Sequence, residues 1–310
     1  MYRANPGPIP PASEIEYIKD ITMRDGHVNE IRVHKPPGSA TAGFSTLIPL
    51  VVLIHGGGFC MGNPSTLSLF ARAIASLHGA TVVNPAYRLA PEFKFPTAPN
   101  DIWDTVTWLA RPENAQEIGA DLSLGFFIGG CSAGANLAAV TVQQWVTQGL
   151  SPPVTGMWLG IPVVLSEDTV PADLKHLWFS RSQHADALIL NKAAIDDIAE
   201  LYQYDVTSTS FTPFTVKDPH RNMPPTYIQV NGQDPLRDDG LIYERVLREN
   251  GVMTRMDVYP GLPHGFAESY PDLNVSKRNR VDTMKGFGWL FHVEHDETVL
   301  ENVLEKSVDT

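Results

Sequence analysis

The chain has 310 residues, of which 43% are hydrophobic and 19% charged, ordinary values for a soluble globular protein that exclude disorder over most of the length. Its 35 acidic residues outnumber 23 basic ones and give a formal net charge of −12, which no Lys/Arg-rich run offsets. Neither a nucleic acid nor an anionic membrane is therefore expected as a partner.

The cysteine content and the N-terminus indicate where the protein resides. Cys60 and Cys131 are too few for a disulfide framework and belong to no Cys-x-x-Cys pair, so reduced thiols are expected. The first residues contain no apolar run typical of a signal sequence, and no stretch of about 18 apolar residues occurs. These features predict a soluble, cytoplasmic protein.

Buried strands alternate with helices along the chain. Strands are predicted at residues 14–23, 29–34, 47–54, 80–85, 124–129, 154–165, 226–230 and 254–259. Helices are predicted at 65–78, 100–110, 135–148, 192–204, 239–250 and 276–291, with Asp101 in the first turn of the second helix and an acidic tail after the last one. This alternation predicts a single α/β domain with a mostly parallel sheet covered by helices on both faces.

Residues 167–216, which we call the cap segment, interrupt this alternation with loops around one helix. The segment follows the sixth predicted strand, so we expect it to lie over the carboxyl edge of the sheet. Open α/β sheets bind their ligands at that edge.

The sharpest motif is Gly130-Cys131-Ser132-Ala133-Gly134, a Gly-x-Ser-x-Gly between a predicted buried strand and a helix. A serine at such a turn projects its hydroxyl above the sheet, and the glycines permit the strained backbone. The bare pentapeptide also fits an ordinary Gly/Ser turn, but its position between strand and helix favours a nucleophile.

A second motif, residues 55–59 with the sequence His-Gly-Gly-Gly-Phe, follows the third predicted strand. Consecutive glycines leave backbone N–H groups available to a developing oxyanion, as in the oxyanion loops of lipases and esterases. The alternatives are a tight turn and a phosphate-binding loop, although no Gly-Lys-Ser/Thr ending follows.

A serine nucleophile needs a base and an acid that orients it. Among ten histidines, His264 has the best context because it directly follows the last predicted strand, whereas the tail pair His292 and His295 lacks an evident third metal ligand. Asp234 follows the strand at 226–230 and completes the order Ser-Asp-His of α/β-hydrolases. The nearby Asp238 and Asp239 fit better as helix caps or first-turn charges.

With these motifs the chain resembles the hormone-sensitive-lipase family of α/β-hydrolases, family IV, which includes carboxylesterases and arylacetamide-deacetylase-like enzymes. The matching stretches are 55–59, 87–92 with Phe95-Pro96, 130–137, 234–238 and 264–266. The resemblance implies an α/β-hydrolase fold with a reduced cap, an oxyanion hole formed by the N–H groups of Gly57, Gly58 and Ala133, and no cofactor or metal. It also implies that Arg88 and Glu92 brace the loops beneath the site.

Three features depart from the family pattern. Cys131 stands where an acid commonly precedes the nucleophile, so local hydrogen bonding must differ, and Ala135 replaces a common glycine. Only about a dozen residues precede the first predicted strand, so an N-terminal cap is short or absent. Either the cap consists of the cap segment alone, or a second subunit of a homodimer supplies the missing wall.

The sequence therefore predicts a serine esterase whose substrate is a small-molecule carboxylic ester. We expect an open cleft lined by Phe59, the cap segment and Leu262, which would favour short acyl groups on small to medium-sized metabolites, including polycyclic natural products. A lyase or cyclase of natural-product metabolism and a non-hydrolytic small-molecule receptor are the alternative functions. Intact His264 and an unaltered glycine loop favour the esterase.

Overall fold

The computed structural model describes residues 15–37 and 47–308, and within them eight strands form one sheet in the order β1-β2-β4-β3-β5-β6-β7-β8. The six strands β3 to β8 all run parallel to one another. At one edge of the sheet, β2 pairs antiparallel with β4, and β1 pairs antiparallel with β2. The strands are β1 (Glu16–Thr22), β2 (Val28–His34), β3 (Leu50–Ile54), β4 (Thr81–Pro85), β5 (Phe126–Cys131), β6 (Gly156–Gly160), β7 (Thr226–Asn231) and β8 (Thr254–Tyr259). The central strands β3 to β7 are buried along almost their whole length, as a sheet covered on both faces requires.

Helices cover both faces of this sheet. In the described part of the chain they are α1 (Ser68–His78), α2 (Thr97–Leu109), α3 (Pro112–Glu117), α4 (Ala133–Thr147), α5 (Ser180–Gln183), α6 (Lys192–Tyr202), α7 (Arg237–Glu249), α8 (Phe266–Ser269), α9 (Asn274–Phe291) and α10 (Glu297–Ser307). One hydrophobic core lies between the sheet and α2, α4 and α7, and a second lies between the sheet and α1, α9 and α10. The predicted α/β-hydrolase architecture is confirmed.

Several boundaries differ from those predicted. The sixth strand was predicted at 154–165 but ends at Gly160, because Ile161 has a positive φ of 45° and Pro162 has no N–H to donate to the sheet. The fifth strand lies two residues further along the chain than predicted, at Phe126–Cys131. The first helix begins with a 3₁₀ turn at Pro64–Leu67, where the side chain of Asn63 accepts the backbone N–H of Ser65.

The acidic tail that follows the last predicted helix contains a further helix, which the sequence analysis does not predict. Residues 297–307 form α10, whose Leu300 and Leu304 are buried against α1 and α9. These two leucines are four residues apart and therefore lie on one face of a helix. That spacing was the signal for a packed helix among the acidic residues.

The assignment of Asp101 to the start of a helix is also wrong. The helix α2 begins at Thr97, so Asp101 lies in its second turn, fully buried. Its carboxylate accepts hydrogen bonds from the Arg88 guanidinium and from the Arg88 backbone N–H. Asp101 therefore pairs with a partly buried cation instead of capping a helix.

Parts of the prediction lie outside the described residues. These parts are the residues before 15, where the N-terminal cap was expected to be short or absent, and residues 38–46. The cap segment is described completely and contains α5 and α6. Across the described ranges, no helix combines the length and apolar character that crossing a membrane requires.

Candidate active site

The predicted nucleophile lies in a tight turn between β5 and α4. Ser132 has φ 55° and ψ −119°, a conformation that L-residues with side chains rarely adopt, and its N–H donates to the carbonyl of Gly160 at 2.7 Å. The turn requires close backbone approach: a Cβ on Gly134 would lie 2.0 Å from the carbonyl oxygen of Ile54. The two glycines of the motif thus let α4 start directly against the end of β3.

Ser132, His264 and Asp234 form one chain of hydrogen bonds. The Oγ of Ser132 lies 2.8 Å from Nε2 of His264, and Nδ1 of His264 lies 2.7 Å from Oδ2 of Asp234. Asp234 is 1% exposed and His264 7%, while Ser132 is only partly buried and remains accessible. With Nδ1 of the ring protonated and donating to the carboxylate, Nε2 is free to accept the serine proton.

Backbone contacts fix the loops that carry the acid and the histidine. The second oxygen of Asp234 accepts the N–H of Leu236 at 2.8 Å, which sets the orientation of the carboxylate. Asn231, at the end of β7, donates its side-chain amide to the carbonyl of Pro263, next to the histidine, at 2.8 Å. Sequence reasoning missed Asn231; it is a polar residue at the end of a buried strand, which was the available signal.

The glycine loop at 55–59 packs against the serine turn. A Cβ on Gly56 would lie 2.8 Å from the carbonyl oxygen of Cys131, and Gly57 and Gly58 have φ of 116° and 60°, where glycine is strongly favoured. Among the described residues, the N–H groups of Gly57, Gly58 and Ala133 donate no hydrogen bond. These three donors are thus available to an oxygen bound at this place.

Two stacked aromatic rings, one on the first residue of the loop and one on Tyr87, hold the loop in shape, and sequence reasoning gave neither side chain a role. Burial lowers the pKa of His55 to about 4, so its ring is neutral at pH 7, and its Nδ1 lies 2.7 Å from the carbonyl oxygen of Gly56. The ring of Tyr87 stacks on His55 with centroids 4.3 Å apart, and its hydroxyl donates to the His55 carbonyl at 3.0 Å. Tyr87 opens the 87–92 stretch quoted for the family resemblance.

The bracing expected of Arg88 and Glu92 is found only for Arg88. Its guanidinium pairs with the buried Asp101 at 2.6 Å and with Asp25 at 2.7 Å, which joins the loop to α2 and to the β1–β2 turn. Glu92 is exposed and makes no hydrogen bond or ion pair with the part of the chain that the structure describes. Asp101, and not Glu92, is the acid that braces the loop together with Arg88.

The two predicted substrate-binding residues lie in different environments. Phe59 is only 2% exposed and its ring stacks on that of Tyr202 in the cap segment, 4.3 Å between centroids. It therefore offers little surface to a substrate and instead joins the glycine loop to α6. Leu262 is partly buried beside Tyr259 and Phe266, on the loop that leads to His264.

Asp238 and Asp239 do more than charge the first turn of α7. Asp238 accepts the backbone N–H groups of Phe179 and Ser180, at 2.7 and 2.6 Å. Asp239, whose pKa is raised by burial, lies 3.0 Å from four donors: the N–H groups of Val164 and Leu165, the indole of Trp178 and the guanidinium of Arg181. These two carboxylates bind the start of the cap segment to the helix that follows Asp234.

The residue before the nucleophile is a partly buried thiol. Burial raises the pKa of Cys131, so it is protonated at pH 7, and its Sγ lies 3.9 Å from the carboxylate of Glu268. An acid thus approaches this position from α8 instead of from residue 131 itself. The local hydrogen bonding expected to differ from the family pattern is this thiol–carboxylate contact.

The histidine pair of the tail forms no metal site with the described residues, where no three His, Cys, Asp or Glu side chains come together as ligands. His292 is exposed. His295 instead packs edge-on against His78 at the end of α1, with ring centroids 5.1 Å apart.

Comparison with known proteins places the chain in a class. The family model for the alpha/beta hydrolase fold matches residues 51–268, which include the glycine loop at 55–59 together with Ser132, Asp234 and His264. The chain belongs to this family, in its hormone-sensitive-lipase or family IV branch.

Three proteins that are similar to this chain carry the names of esterases or of a cyclase. Esterase LipI of Mycobacterium tuberculosis is 35% identical over 76% of this chain and 70% of its own length. Versiconal hemiacetal acetate esterase of Dothistroma septosporum is 28% identical over 91% of this chain and 83% of its own. The crystal structure of vibralactone cyclase superposes with a TM-score of 0.82 at 30% identity, covering 91% of this chain and 82% of that one.

Proposed function

We propose that the protein is a serine carboxylesterase that hydrolyses short-acyl esters of small to medium-sized metabolites. The observation that carries this proposal is the chain of two hydrogen bonds at the site. The Ser132 hydroxyl lies 2.8 Å from His264, and His264 lies 2.7 Å from the buried Asp234. This is the geometry that nucleophilic catalysis by a serine requires, since an unassisted hydroxyl is a weak nucleophile.

The reaction proceeds in two halves. In the first, His264 accepts the Ser132 proton as Oγ attacks the ester carbonyl, and the oxyanion binds the N–H groups of Gly57, Gly58 and Ala133. His264 then protonates the leaving alcohol and an acyl-serine remains. In the second half, water gives a proton to the histidine and attacks the acyl carbon, and the carboxylic acid leaves as the serine recovers its proton. Asp234 holds the imidazole in the required tautomer and stabilises its cation throughout.

The names of the similar proteins support an ester as substrate, and one of them names an acetate ester of a metabolite. A short acyl group would also follow from the open cleft that the sequence analysis expects, because each methylene left in water forfeits about 0.8 kcal/mol of binding free energy. We therefore expect affinity to stop rising beyond short acyl chains, while larger alcohol groups are still accepted.

A natural-product cyclase is the second candidate function, and the resemblance to vibralactone cyclase favours it. A cyclase of this type would use the same acyl-serine, with a hydroxyl of the substrate replacing water as the second nucleophile. The two functions therefore share the first half of the reaction and differ in which nucleophile reaches the acyl carbon.

Hydrolysis of p-nitrophenyl esters from acetate to palmitate tests the proposal. We expect kcat/KM to be highest for short acyl groups, Ser132→Ala to abolish turnover, and Asp234→Asn to lower kcat by orders of magnitude because it favours the wrong tautomer. Thermal unfolding of each variant serves as the folding control. A maximum at twelve carbons or longer, wild-type rates in Ser132→Ala, or little turnover by the wild-type protein would each contradict the proposal.

A further inference from the structure

The cap segment touches the glycine loop at one particular glycine. A Cβ built on Gly58 would lie 2.6 Å from Cδ1 of Ile198 and 3.1 Å from its Cγ1, so this side chain occupies the space directly beside Gly58. Ile198 belongs to α6 and is partly buried. The backbone N–H of Gly58 is one of the three donors available to an oxyanion, so Ile198 borders the position where a substrate carbonyl would bind.

A second contact fixes the helix against the same loop. Tyr202 lies four residues after Ile198, hence on the same face of α6, and its ring stacks on Phe59 with centroids 4.3 Å apart and planes 10° apart. Two successive residues of the loop thus meet two residues one helical turn apart. The carbonyl of Tyr202 also accepts the N–H of Phe95 at 2.9 Å, which attaches the end of α6 to the body of the protein.

The contacts of α6 fix the position of Ile198. Its residues on the other face, such as Asp197 and Glu200, are exposed, whereas Ile195, Ile198 and Tyr202 face the protein. The helix begins with Asn191 accepting the N–H of Ala194 at 2.9 Å, a regular N-cap. The position of Ile198 relative to Gly58 is therefore set by a capped helix anchored at its other end.

We propose that Ile198 determines substrate specificity: it limits the size of the group that an ester can place beside the oxyanion hole. This inference rests on the proposed esterase function and names one residue behind the preference for small groups. Shortening the side chain would free space beside Gly58 for additional methylenes of the substrate, and enlarging it would remove space.

The test compares Ile198→Ala and Ile198→Phe with wild type in two series, p-nitrophenyl esters of two to eight carbons and acetates of methanol, p-nitrophenol and 1-naphthol. In the series whose group lies beside Gly58, we expect Ile198→Ala to gain about fourfold in kcat/KM over wild type per added methylene, for up to about three methylenes. Ile198→Phe should shift the same series toward smaller groups. The alcohol and acyl series together show which part of the ester occupies this space.

Leu201→Ala is the matched control, because Leu201 lies on the same helix, is 37% exposed and loses the same number of carbons as Ile198 does on substitution by Ala. It should leave both profiles unchanged. If Ile198→Ala proves unstable, Ile198→Val replaces it in the test, because an Ile→Val substitution lowers the free energy of unfolding by only about 1 kcal/mol. Ile198→Val should still shift the profile by about one methylene.

Identical profiles in wild type and all Ile198 variants, or an equal shift in Leu201→Ala, would overturn the inference while leaving the esterase proposal intact. Absence of Ser132-dependent hydrolysis in the wild-type protein would instead overturn the esterase proposal itself.

Discussion

The protein should lose stability steeply as pH falls from 7 to 5, because burial lowers the pKa of His55, His78 and His220 from 6.5 to about 4. In that window the unfolded chain binds protons that the folded chain does not. The contribution of each neutral histidine to the free energy of unfolding is therefore complete above pH 6.5 and is lost as the pH falls. For a shift of this size the linkage relation gives about 2 kcal/mol per histidine at pH 5. Together the contributions of the three histidines approach the whole free energy of unfolding of a small domain.

His78 allows the cleanest test. Its ring stacks on Phe291 with centroids 4.5 Å apart and planes 4° apart, so His78→Phe keeps the stack and removes the titrating group. Urea unfolding at pH 7 and pH 5 should show that the difference in free energy of unfolding is about 2 kcal/mol smaller in His78→Phe than in wild type.

The control is His176→Phe, a substitution of an exposed histidine, which should leave the wild-type difference intact. Carboxylates do not obscure the result, because wild type and His78→Phe carry the same ones, including Asp239 with its raised pKa and Glu16 with its lowered pKa, and their contributions cancel in the comparison. An unchanged pH dependence in His78→Phe would refute the reasoning.

Three further outcomes follow from the contacts of the site. Tyr87→Phe removes the hydroxyl that donates to the buried carbonyl of His55, so we expect a loss of about 1–3 kcal/mol in thermal unfolding together with a lower kcat. Gly134→Ala would place a Cβ 2.0 Å from the carbonyl of Ile54 and should cost about 3 kcal/mol in urea unfolding, whereas a neutral effect would mean that helix and strand can separate freely. Asp239→Ala leaves the partly exposed guanidinium of Arg181 and several buried donors without their acceptor and should cost about 3 kcal/mol by the same measurement.

Much of the fold was predictable from hydrophobic patterning. The strand β3 is a short, fully buried apolar run, and β4 and β7 are short buried strands with polar residues among their apolar ones. A Gly-x-Ser-x-Gly motif placed between a strand and a helix likewise predicts one local backbone geometry. The order of Ser132, Asp234 and His264 along the chain was also predictable, because each lies just after a strand whose carboxyl end reaches the same edge of the sheet. Hydrogen-bond distances between the three required the structure.

What the sequence did not reveal depends on contacts between distant segments. Asp101 was placed at a helix start because acids are common there, and its pairing with Arg88 from another loop could not be read from local pattern. Phe59 was expected to line the cleft because it follows the glycine loop, yet Tyr202, about 140 residues further along the chain in the sequence given, covers its ring. Ile198 belongs to no recognisable motif, so the sequence alone gave no reason to single it out.

The account depends most directly on Ser132 being the nucleophile, and covalent labelling tests this point. A fluorophosphonate should add once to the wild-type protein, with the adduct on the peptide that contains Ser132, and Ser132→Ala should take up none. His264→Ala should label far more slowly, because the hydroxyl then lacks its base. An adduct on Cys131, or undiminished labelling of Ser132→Ala, would contradict the central claim.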